Sequence, residues 1–143
     1  VSEPSAWSTT TRRLRVLEAI ALLLLARGLR KWVAMRRWAS LLGENGPPAA
    51  PMALEPLAGR EAVVARAVAS GARRTSANCL EQAVAASLML RRRGTRAVVV
   101  IGLDPARPDA IPHAWLVGAS GSVVTGADEM PGFRPVNQFG TLE

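Results

Sequence analysis

The sequence predicts an α+β fold in which N-terminal helices and a central helix pack on a small antiparallel sheet. Three observations carry this. Apolar residues recur at helical spacing in three segments before residue 92. A continuously apolar, β-branched run occupies 96–103, and two short apolar stretches, 113–117 and 122–125, flank a turn through Gly118 to Gly121. With 143 residues the chain has material for one domain with a real core. Its 49% hydrophobic content is mostly alanine and valine, with two Phe, four Trp and no Tyr, so that core is aliphatic.

Val1 to Thr11 contains Pro4 and a Ser/Thr-rich run without periodicity and reads as a loose tail that hands over to a helix near Thr10 or Thr11. From Arg12 to about Leu42 the pattern is helical, with Leu14, Leu17, Ala21, Leu24 and Leu25 on one side, Arg13, Glu18 and Arg27 elsewhere, and Gly28 as a point of bending or division. The apolar stretch Ala19 to Ala26 is far shorter than the roughly 20 residues of a membrane span. Trp32 and Trp38 stand among Lys31, Arg36 and Arg37, a combination that suits packing against the domain itself or against a partner protein.

Gly43 to Pro56 holds Gly43, Gly46, Pro47, Pro48, Pro51 and Pro56 and reads as an irregular linker. It divides a basic N-terminal helical arm, 1–46, from a core, 47–143, with the two packed loosely. Leu57 to Ser70 resumes helical spacing, and Gly71 is a plausible C-cap. Cys79 to Arg92 is a second helix with Leu80, Val84 and Leu88 on one stripe and Ala83 and Leu90 beside it, ending in Arg91-Arg92-Arg93-Gly94. Arg96 to Leu103 is a buried strand, and Asp104 to Pro112, with Pro105, Pro108 and Pro112, is a loop. Two strands follow, His113 to Val117 and Ser122 to Thr125. Gly126 onward is turn-rich, closing with Phe133 and Phe139.

Cys79, the sole cysteine, opens its helix behind Ser76 and Asn78, either of which can cap it. A thiol in a first turn lies at the positive end of the helix dipole, which favours the nucleophilic thiolate. His113, the sole histidine, opens a strand that the fold can bring to that helix N-terminus, and thiol chemistry needs such a base within hydrogen-bond reach. Trp115 alternates onto the same strand face as His113, where it can wall the imidazole off from water. One Cys and one His are too few for a metal site, no phosphate-binding glycine loop is present, and no cofactor is expected.

The net charge of +7, from 18 basic and 11 acidic residues, falls in scattered clusters, and no aromatic residue interleaves with Arg73/Arg74 or Arg91 to Arg93. This pattern fits a solvated basic face or an acidic protein partner better than nucleic acid. A single Cys forms no internal disulfide and no basic leader with a short apolar core opens the sequence, so the cytoplasm is the expected compartment.

The segments Asn78-Cys79-Leu80-Glu81-Gln82-Ala83, Leu88-Met89-Leu90-Arg91-Arg92-Arg93-Gly94 and His113-Ala114-Trp115-Leu116 resemble the transglutaminase-like cysteine leader peptidases of lasso-peptide biosynthesis, the B2 proteins. The resemblance runs from about Leu57 to Val136. It implies a papain/transglutaminase-like fold whose Cys-His-Asp triad removes the leader from a ribosomally made precursor peptide. It also implies a small leader-binding protein that presents the substrate and a lasso cyclase that acts next. Carried onto this chain, Cys79 is the nucleophile, His113 the general base and Asp128 the third member, with Glu129 competing. The acidic residue usual in the family shortly after the tryptophan is Val117 here, a departure that bears on the orienting group alone. The alternatives are a transglutaminase-type acyl transferase using the same residues, and a non-catalytic basic helical module that docks a protein partner.

Overall fold

The computed structural model describes residues 6–50, 53–107, 109–128 and 130–142, with side chains from residue 10 onward. Pro4, Pro51, Pro108 and Glu129 lie outside them. The chain forms α1 (Ala6–Trp32), α2 (Met35–Trp38), a 3-10 turn (Ala39–Leu42), β1 (Asn45–Gly46), α3 (Gly59–Thr75), α4 (Cys79–Arg92), β2 (Ala97–Leu103), β3 (His113–Gly118), β4 (Val123–Thr125), a second 3-10 turn (Met130–Gly132) and β5 (Arg134–Phe139). The sheet order is β1-β5-β2-β3-β4 and every neighbouring pair is antiparallel, so the α+β class is the one found.

Helix α1 departs from the expected reading at two points. It begins at Ala6, inside the stretch read as a loose tail, and it runs through Gly28 without a break. Division comes instead at Ala34, whose extended backbone separates α1 from α2, with Trp38 Nε1 donating to the carbonyl of Val33 across the break. Its apolar residues divide between two faces. Leu14 and Leu17 are 60% exposed and Trp32 is 82% exposed, while Ala19, Leu23 and Ala26 are buried. At about 100° per residue these two sets stand on opposite sides of the helix, so α1 is apolar on both. The inner face is chosen by fit. A Cβ added at Gly71 of α3 would meet Leu23 Cδ1 at 3.0 Å and Ala19 Cβ at 3.4 Å, so Gly71 lets two backbones approach around small side chains. Gly71 is therefore a packing residue inside α3, and the C-cap is Ser76, left-handed at φ 54°.

Helix α4 is buried on nearly every side, Ala83 through Ser87 included, because α1, α3 and the sheet all pack on it. One core joins Ala19, Leu23 and Leu42 of the N-terminal segment to Val64 and Val68 of α3, Val84 and Leu90 of α4, and Val99 and Leu116 of the sheet. The expected loose packing of the N-terminal segment is thus not what the structure has. The expected irregular linker also contributes structure. Asn45 and Gly46 pair with Phe139 and Gln138, Ala53 bridges to Ser122, and Gln138 Oε1 accepts from the N–H groups of Ala49 and Ala50. Pro47 and Pro48 lack donors, but pairing ends before them.

The sheet has two covered faces. Val99, Ala114 and Leu116 look toward the helices, whereas Val98, Val100, Trp115 and Val117 pack under Met130, Ala127 and Phe133. Burial on both sides explains why β2 is continuously apolar rather than alternating. Strand β5 was missed in the sequence because Pro135, Asn137 and Gln138 interrupt its apolar pattern, yet it pairs with β2 from Val99 to Leu103 around a bulge at Ile101/Gly102.

Candidate active site

Asn78, extended and outside the helix, caps α4: its Oδ1 accepts from Glu81 N at 2.8 Å while Glu81 Oε1 accepts from Asn78 N at 3.2 Å. This reciprocal box pins the first turn and with it Cys79, the first helical residue. Cys79 is half-buried, and its Sγ accepts the N–H of Ala114 at 3.4 Å. That nitrogen is two bonds from the Cα of His113, so the sulfur lies within about 6 Å of that Cα. Helix N-terminus and strand start therefore meet at the residues the sequence singled out.

His113 is 3% exposed and lies on the sheet face away from the helices, as does Trp115. Its Nε2 is 3.0 Å from the carbonyl oxygen of Gly126. A carbonyl can only accept, so Nε2 carries the proton and Nδ1 is the basic nitrogen of the neutral ring. The imidazole sits 5.7 Å from the Trp115 ring and 5.0 Å from the Phe133 ring, between centroids. Gly102, its partner across β2, makes room for this stack: a Cβ there would lie 2.6 Å from the Trp115 indole. Trp115 is the wall residue expected of it, and among the described residues its Nε1 has no acceptor.

With this geometry in place, the comparison with known families is decisive at one level. Residues 20–138 match the transglutaminase-like superfamily, most of the chain and both Cys79 and His113 included. The chain belongs to the transglutaminase-like superfamily. Members are typically cysteine-type enzymes. No curated protein and no solved structure matches it.

In this transglutaminase-like chain Asp128 occupies an exposed turn two residues beyond Gly126, while Glu129 lies outside the described residues. Gly126 holds the ring through its main chain, and its own conformation is special. Its φ is +80°, and an added Cβ would lie 2.8 Å from Ala114 O and 2.9 Å from Trp115 Cβ. Only glycine fits there without displacement.

Sequence reasoning also missed the brace behind the cysteine. Glu81, 1% exposed, receives Arg27 at 3.2 Å and Arg30 at 2.9 Å, both from α1. Arg27 donates as well to the carbonyl of Thr75. Burial raises the Glu81 pKa, but hydrogen bonds from Arg30, the Asn78 N–H and Arg27 outweigh it and hold the carboxyl below its usual range. The signal for the cap was present as Asn78-x-x-Glu81. That two arginines some 50 residues upstream complete it was not. A second cross-link ties Glu18 of α1 to Arg93 and Arg92 at 2.7 and 2.8 Å, so the helix bundle is fixed at both ends of α4.

Proposed function

We propose that this chain is a cysteine peptidase that cuts a leader from a ribosomally made precursor peptide in lasso-peptide biosynthesis. The observation that supports it is the Cys79 thiol in a capped first turn, hydrogen-bonded to the residue that follows His113. In this reading Nδ1 of His113 takes the thiol proton and the thiolate adds to the scissile carbonyl carbon. The oxyanion is met by main-chain donors at the start of α4, where the capping box leaves the N–H groups of Cys79 and Leu80 unused. The imidazolium then protonates the leaving amine as the C–N bond breaks. Water, deprotonated by the same nitrogen, hydrolyses the thioester and regenerates the thiol. Gly126 O keeps the ring in the tautomer this cycle needs.

A small leader-binding protein that presents the precursor and a cyclase that consumes the product are the partners of this reading. The test is incubation of the purified protein with precursor and leader-binding protein encoded beside it, followed by mass spectrometry. Release of leader and core, with an acyl adduct on Cys79 at short times, is the expected result, and an intact precursor in the presence of both proteins overturns it. Acyl transfer uses the same residues, so an added primary amine decides between them: capture of the acyl group by the amine in preference to water marks a transferase.

A further inference from the structure

Helices α1 and α3 leave a surface groove of about 700 Å³ along 11–16 and 63–73. Arg12 and Arg15 line it from α1 and Arg66 and Arg73 from α3, over an aliphatic floor of Val16, Val63 and Ala67. No carboxylate of the described residues lines it. Glu18, one turn beyond Arg15, is turned to Arg92 and Arg93. None of the four groove arginines forms an ion pair among the described residues.

We propose that this groove is a binding site for an acidic peptide segment that carries apolar residues between its carboxylates. Guanidinium groups recognise carboxylates through paired N–H donors, and four of them around an aliphatic floor match a ligand that is anionic at its edges and apolar beneath. Nucleic acid fits less well, because no aromatic side chain of the described residues lines the groove to stack a base. The site goes beyond the peptidase reading. None of its lining residues belongs to the Cys79 and His113 cluster, so it would hold a segment of a partner protein remote from that cluster.

The test is fluorescence anisotropy of the full chain with a labelled peptide of repeated Glu-Glu-Leu-Leu. Matched Gln-Gln-Leu-Leu and Glu-Glu-Ser-Ser peptides and an oligothymidylate of equal charge serve as comparisons. The acidic amphipathic peptide should bind tightest and weaken severalfold as salt rises. Arg66→Gln/Arg73→Gln should weaken it by about tenfold, as loss of two ion pairs implies, and Arg66→Lys/Arg73→Lys by less. Arg36→Gln/Arg37→Gln, outside the groove, should bind as the parent does. Glutamine keeps helix propensity, and thermal melts confirm that each variant is folded. Unchanged binding by the Arg66/Arg73 double glutamine variant overturns the site, and tighter binding of the oligonucleotide overturns the peptide assignment. Cys79→Ala should bind normally, which separates this result from the fate of the peptidase reading.

Discussion

In the proposed mechanism Cys79 and His113 share one proton, and their substitutions should reflect that. Cys79→Ala and His113→Ala are each expected to remove nearly all turnover in the precursor assay, and the double variant should be little worse, since neither group has anything to act on without the other. Additive losses would disprove a shared proton transfer. Asp128→Ala should retain measurable activity, because the imidazole is already held through Nε2 by Gly126 O. Activity as low as in His113→Ala would make Asp128 indispensable to the triad. Gly126→Ala tests the main-chain support itself. A positive φ and contacts below 3 Å to Ala114 O and Trp115 Cβ predict a loss of about 1–3 kcal/mol, read from denaturant unfolding.

Element packing decides how the cysteine helix is held. Glu81→Gln leaves the box weakened and deprives two arginines of their charge partner, and a loss of about 1–3 kcal/mol is expected. The same residue carries a pH signature. The folded pKa of Glu81 is lowered, as is that of Glu18, where the Arg93 hydrogen bond is the largest cause, opposed by burial and aided by the charges of Arg93 and Arg92. Stability from these two carboxylates is therefore complete above their unfolded pKa of about 4.3 and is lost as pH falls through the lower folded values. Melting temperature should drop below about pH 4 in the parent, and by less in Glu81→Gln. An equal acid dependence in both would remove Glu81 from the account. The two faces of α1 give a further contrast. Leu23→Ala should cost about 3–5 kcal/mol, whereas Leu17→Ser should stay within about 0.5 kcal/mol. The reverse order would show that the leucine-rich face is the buried one.

The whole molecule depends on α1 more than a flexible arm would allow. Removal of residues up to Leu42 takes away Ala19, Leu23, Ala26, Trp38 and Leu42 from the shared core, together with Arg27, Arg30 and Glu18. The truncated chain is expected to lose cooperative thermal unfolding, seen by circular dichroism, and with it any precursor processing. A truncation that melts cooperatively near the parental temperature would show that α1 is dispensable for folding. Among the described residues no helix is long and apolar enough to cross a membrane.

What the sequence settled by itself was local. The helix from Cys79 to Arg92, the strand at 97–103 and the two strands that follow it were legible because spacing, branching and turn residues act over a few positions, and the two chemically distinctive residues announced themselves by being single. Tertiary structure decided whatever required choosing among local equivalents. Two apolar faces of α1 look alike until Gly71 admits one of them, and Ser76 and Asn78 could each cap until the first ended α3 and the second began α4. Gly126 could not be read as the support of His113, since a backbone carbonyl leaves no mark on residue type and its approach to Nε2 exists only once β4 has paired with β3. Arg27 and Arg30 looked like any other members of a basic cluster, and only packing of α1 on α4 brought them to a carboxylate that a single helix would have left in water.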